Sequence, residues 1–275
     1  MKQRIWALTR YFWRTVQFSL TGLIYVILAL AYWWILFNPQ QGTPNAPYYV
    51  LVTAVFGAAA SFLLTLSFAA RGNQAEHYPF VVRFPSRVEY LTSVMLASLL
   101  MTGSLQLLVA LLALYRGPAI SAGLFLDAVP VWTAVNILAT VLALHASDFV
   151  ALGWSRVIVF GFIALLLIIQ DNNNPNSGLI NTFTELGQQL TMNGSTVMGG
   201  LLSQTAQFLS GGLANQLREF LSFFLWPFSA ITNAAINGYF SPAQAMAPAV
   251  LLLYATVLFL LAADLFATKD LDFLE

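Results

Sequence analysis

The chain contains no cysteine. Disulfides, thiolate metal sites and thiol nucleophiles are therefore excluded. Charge is scarce as well: 11 basic and 11 acidic residues among 275 make 8%, where a soluble domain carries about a quarter. Histidine occurs twice, as His77 and His145. No GxxxxGK[ST] is present, so the chain does not bind ATP through a P-loop, and neither HExxH nor a GxSxG elbow occurs. No carboxylates fall at metal-ligand spacing. The sequence thus offers no catalytic residue, no cofactor motif and no metal set, and nothing in it points to a nucleic-acid partner.

What is present is long uncharged sequence. Residues 15–37, 48–70 and 90–115 carry no charge. A helix rises about 1.5 Å per residue, so roughly 20 apolar residues cross a hydrocarbon core about 30 Å thick. Hydrophobic residues make up 59% of the chain, with a mean hydropathy of +0.76. The apolar runs are continuous rather than alternating, which favours helices over a β-barrel. The first run is too long for a signal peptide and no small-residue cleavage site follows it, so it reads as a retained span. The expected fold class is an all-α integral membrane protein in a lipid bilayer, read as a single domain over 1–275.

Six spans are expected, at about 15–37, 48–70, 90–115, 128–147, 150–170 and 247–267. Cytoplasmic flanks are rich in Lys and Arg. On this layout Lys2, Arg4, Arg10, Arg14, Arg71, Arg83, Arg87, Arg156 and Lys269 fall on one side, and only Arg116 and Arg218 on the other. Both termini are then cytoplasmic. The fifth span is the weakest, because Arg156 lies within it and must snorkel to the headgroups. Residues 171–246 read as an outer region, beginning with the polar break DNNNPNS. Within it and beyond, residues 220–263 are uncharged and long enough for two crossings. Trp226-Pro227 and the Asn237–Pro242 stretch (NGYFSP) interrupt them, so a re-entrant pair is expected rather than a seventh span.

Two basic segments flank the early spans. Residues 1–14 mix Lys2, Arg4, Arg10 and Arg14 with aromatics, and Ile5, Leu8 and Phe12 share one helical face, as in an interfacial helix on a membrane surface. Residues 71–89 (RGNQAEHYPFVVRFPSRVE) form the most charged stretch. There Ser86 with Glu89 predicts a capping box opening the third span. Inside the spans the polar residues are mild. Thr102, Ser104 and Gln106, around Gly103, are the best candidates for a polar patch in a translocation path. Carboxylates at mid-span, which ion-coupled carriers require, are missing.

These features together resemble the permease subunits of type-2 ATP-binding-cassette (ABC-2) exporters. The resemblance rests on the basic N-terminal helix running into the first span, on Glu76-His-Tyr-Pro-Phe-Val-Val-Arg-Phe-Pro-Ser-Arg-Val-Glu-Tyr-Leu91 as a coupling loop, on the outer region before the last span, and on the tail Phe266-Ala-Thr-Lys-Asp-Leu271. It covers nearly the whole chain by layout and contains no sharp motif. It implies a permease paired with a second, identical or related subunit. Each would dock on a cytoplasmic ABC ATPase, which would bind the ATP and Mg. Glu76, His77, Tyr78, Pro79, Arg83 and Arg87 would face that ATPase, with His145, Ser147 and Asp148 as a smaller contact. A prokaryotic plasma membrane and an amphipathic, lipid-like, peptide or glycan substrate are implied in the same way. The alternative is a non-transporting scaffold that uses Gln188, Gln189, Gln204, Gln207 and the aromatics Phe220, Phe223, Phe224, Trp226 and Phe228 as an outer surface.

Overall fold

The computed structural model describes residues 2–37, 46–72, 86–115, 122–150, 156–157, 159–164, 178–192, 199–204, 207, 223–234, 241–242 and 244–268, with backbone alone for 122–127, 178–183 and 190. The principal helices are α1 (Lys2–Gln17), α2 (Leu20–Leu36), α3 (Ala46–Gly72), α4 (Arg87–Leu114), α5 (Ala122–Ala146), α6 (Gly178–Met192) and α7 (Ala247–Thr268). No strand occurs among the described residues. Residues 46–72, 87–114, 128–146 and 244–268 are each long and apolar enough to cross a membrane. The α1–α2 pair, bent by 71°, is a fifth candidate if counted as one broken span. The chain divides into two compact units, residues 1–159 with 230–275, and residues 160–229.

The first uncharged run begins at residue 15, yet α2 begins at Leu20. α1 buries Leu8, Phe12 and Val16, a four-residue spacing that puts all three on one face, and leaves its basic residues outside. It stops at Gln17, and Ser19 then caps α2 in an extended conformation, its Oγ accepting from Gly22 N at 3.4 Å. The corner is tight enough that a Cβ on Gly22 would overlap the Val16 carbonyl oxygen. Arg71, in the last turn of α3, clasps the corner by donating to Ser19 Oγ at 3.1 Å, Thr21 Oγ1 at 2.6 Å and Thr15 O at 3.5 Å.

α3 is the hub of the first unit, packing on both α4 and α5, with α7 on α5 and α1 on α4. Aromatic donors tie neighbours to it. Trp132 Nε1 donates to Val50 O at 3.0 Å, Tyr49 OH to Ala110 O at 3.2 Å and Tyr32 OH to Val52 O at 2.8 Å. The outward surfaces are apolar. Leu23, Ile27 and Trp34 on α2, and Leu253, Val257 and Leu260 on α7, are each more than half exposed. Water would not tolerate such a belt on a monomer, but hydrocarbon does.

One end of this bundle is closed by aromatic rings. Tyr90 meets Phe12, Phe149 and Phe266, and Phe12 also meets Phe68. Ser86 sits at the N-cap of α4 as the sequence predicts, but its side chain makes no capping bond. Glu89 is buried and faces Arg4, Nε to Oε2 3.8 Å, because α1 lies across the start of α4 and draws the carboxylate away from the helix end. Pro227, expected to break a helix, lies inside the helical stretch 223–234. In the second unit, α6 and the stretch 199–204 meet at small residues, where a Cβ on Gly199 would lie 2.6 Å from Gly187 O. The predicted fifth span at 150–170 is described as helix only at 156–157 and 159–164, and DNNNPNS lies outside the described residues.

Candidate functional site

A polar seam runs through the first unit where α3, α4 and α5 meet. α3 contributes Thr53, Ser61 and Thr65; α4 contributes Ser98, Thr102 and Gln106; α5 contributes Asn136 and Thr140. All eight are buried. Within each helix they are spaced by four or eight residues and so share a face. Thr65 and Ser98 share a 2.6 Å hydrogen bond between their hydroxyls. α3 and α4 run antiparallel, so one turn further on brings Ser61 opposite Thr102. A second turn brings Gly57 opposite Gln106, and there the two do meet. A Cβ on Gly57 would overlap the Gln106 amide and lie 2.5 Å from Asn136 Oδ1. Only a residue without a side chain lets both carboxamides fit.

The network fixes which way the two amides point. Gln106 Nε2 donates to Thr53 O at 3.0 Å, and a backbone carbonyl only accepts. Gln106 Oε1 then accepts from Asn136 Nδ2 at 2.6 Å. Asn136 Oδ1 is left as a bare acceptor. Thr53 Oγ1, Ser61 Oγ, Thr102 Oγ1 and Thr140 Oγ1 also have no partner among the described residues. Hydroxyls elsewhere in these helices donate to the carbonyl four residues back, as Thr65, Thr92, Ser93 and Thr133 do. Each unpaired buried polar group costs about 1–3 kcal/mol. The seam is therefore a row of buried oxygens, several without a partner among the described residues, and it carries no ionisable side chain.

Beside the seam, a cleft of about 320 Å³ lies between α4 and α5, with Gln106 and Asn136 among its lining and Leu99, Leu107, Trp132 and Ile137 around them. Such a surface accommodates an apolar body and offers amide groups at one place. Thr102 and Gln106, both predicted from sequence, share the seam face of α4, and of the two only Gln106 lines the cleft. Ser104 does not join them. It is exposed, and its hydroxyl donates to Met101 O at 2.7 Å. Two residues along a helix turn the side chain by about 200°, which takes Ser104 off the seam. Asn136 and Thr140, on α5, complete the seam, and their place beside Gln106 was not read from the sequence. The four-residue recurrence of small polar residues on three successive runs was the available signal.

The second notable region is the aromatic end. All seven Lys and Arg among the described residues, Lys2, Arg4, Arg10, Arg14, Arg71, Arg87 and Arg156, gather there. Tyr90 OH donates to Gly72 O at 2.9 Å and so draws together the two stubs of the segment between α3 and α4. Of the residues expected at an ATPase contact, Glu76, His77, Tyr78, Pro79 and Arg83 lie outside the described residues. Arg87 donates to Ala267 O at 3.4 Å, at the C-terminal end of α7, where a cation suits the helix dipole. Asp148 is half exposed and paired with Arg156. His145 is buried, with Nε2 2.9 Å from Leu258 O; the carbonyl accepts, so Nε2 carries the proton.

No protein-family model, curated protein or solved structure matches the chain. The class that its fold and site define is an all-α membrane protein with a buried, uncharged polar seam and one basic end.

Proposed function

We propose that this chain is the permease subunit of an ATP-driven exporter of the ABC-2 type, with six spans and both termini in the cytoplasm. It works with a second, identical or related permease and with a separate cytoplasmic ATPase, in a prokaryotic plasma membrane. One observation carries the reading. The basic helix α1, both stubs of the 73–85 segment, the 147–150 turn and the C-terminal end of α7 all emerge at one end of the bundle, together with every described cation. The positive-inside rule puts such an end in the cytoplasm. A partner ATPase there meets every segment that the family resemblance assigns to it. The seam and cleft suit a neutral or amphipathic substrate, since neither offers a charge to pair with an ion.

The test is a mild-detergent purification of the tagged chain with ATPase activity assayed on what copurifies. A stoichiometric ATPase is expected, and replacing residues 76–79 with Gly and Ser should release it while the permease stays folded. A stable complex without an ATPase would overturn the transport reading and favour an assembly scaffold.

A further inference from the structure

The seven cations at the basic end are not equivalent. Four are tied into the fold: Arg4 to Glu89, Arg71 to the α1–α2 corner, Arg87 to the end of α7, and Arg156 to Asp148. The other three, Lys2, Arg10 and Arg14, are exposed and all lie on α1. Arg10 and Arg14 stand one turn apart on one stripe, an arrangement of like charges that disfavours a helix unless an anion lies between them. Trp6 occupies the preceding turn of the same stripe and is 58% exposed; Tyr11 flanks it at 43%. Together with Gln3 and Thr15 these side chains line a shallow hollow of about 570 Å³ on the outer face of α1.

The opposite face of α1 is committed to the bundle through Leu8, Phe12 and Val16. The basic face is therefore held outward at a fixed height. Phe18 and Leu20, at 83% and 73% exposed, continue the surface from α1 into the apolar face of α2. Basic side chains interleaved with amphipathic aromatics on α1, joined across the corner to fully apolar ones on α2, match the chemistry of a leaflet from headgroup to acyl chain. Arginine is the side chain suited to gripping phosphate with paired N–H donors.

We propose that the outer face of α1 is a binding site for the phosphate of an anionic lipid headgroup, held between Arg10 and Arg14, with Trp6 and Tyr11 against the glycerol and upper acyl region. The lipid would neutralise the like-charged pair and fix the 71° corner against the leaflet. The site does not depend on the transport reading. A scaffold with the same α1 would bind the same lipid.

The test uses the purified full-length chain in neutral detergent. Thermal unfolding is followed while short-chain phosphatidylglycerol, phosphatidylcholine or inorganic phosphate is titrated in. A saturable rise in midpoint with phosphatidylglycerol alone is expected, weakening as salt is raised. The Arg10→Gln, Arg14→Gln double variant should weaken the apparent affinity about 30-fold, since each cation near an anionic surface is worth about a fivefold factor. Both positions are exposed, so the variant should fold. An Arg156→Gln control should respond as the unaltered protein does. Equal responses to phosphatidylglycerol and phosphatidylcholine would overturn the proposal, and so would an undiminished response in the double variant. Inorganic phosphate matching the lipid would also overturn it, because the site would then be a free-anion site.

Discussion

Replacing Gly57 by alanine should damage the protein through two side chains on other helices. In an isolated helix Gly→Ala is favourable by about 0.8–1 kcal/mol. Here the new methyl would overlap the Gln106 amide and press on Asn136 Oδ1 at 2.5 Å. The amides cannot move without losing the 2.6 Å bond between them and the 3.0 Å bond to Thr53 O. Interhelical hydrogen bonds in membranes average about 0.6 kcal/mol, so the two contribute about 1 kcal/mol. Overpacking a tight core costs about 1–3 kcal/mol more. After the helix gain is set against these, Gly57→Ala should destabilise by about 2 kcal/mol. The assay is reversible unfolding in mixed detergent micelles, followed by tryptophan fluorescence. The double variant Gly57→Ala, Gln106→Ala isolates the cause. With the glutamine side chain gone, Asn136 loses the bond that holds it beside Gly57 and can swing into the vacated space, so the cost of Gly57→Ala in that background should fall below about 0.5 kcal/mol. A neutral or stabilising Gly57→Ala would refute the close approach of the three helices. The same cost in both backgrounds would refute the assigned role of Gln106.

Other consequences are open to measurement. Arg71→Gln removes the donor that joins the end of α3 to Ser19 and Thr21, so spin labels at residues 6 and 30 should show a broader distance distribution; an unchanged one would mean that Gly22 and the Ser19 cap set the corner alone. Tyr90→Phe keeps the aromatic packing but strips Gly72 O of its buried donor, and should cost about 1–1.5 kcal/mol in the same unfolding assay; no loss would show that the 73–85 segment needs no tie at its base. The absence of native cysteine makes topology testable directly. A lone thiol at Tyr115→Cys, an 83% exposed position, should react with an impermeant reagent added outside cells, while one at Thr268→Cys should react only after permeabilisation; the reverse pattern would overturn the orientation.

Class, helices and charge asymmetry were determined by the sequence itself, since each follows from local composition. Uncharged runs longer than hydrocarbon is thick must be helical there, because no water satisfies the backbone. α3, α4 and α7 accordingly match their predicted spans to within about three residues at each end. The corner at Ser19 was less legible, because residues 15–20 are uncharged and apolarity alone does not record a change of direction. Only the packing of α1 on α4 turned Glu89 from its predicted capping role toward Arg4. The candidate path shows the same division. Thr102 and Gln106 were visible as polar residues in an apolar run, but Ser104 looked equivalent until helical rotation placed it outside. That Gln106, Asn136 and Gly57 form one site is a fact about three helices from distant parts of the chain. Periodicity fixes which residues share a face. Which faces meet, and at what height, is decided by side-chain volumes and the small residues that let backbones approach, and these act only once the helices are packed.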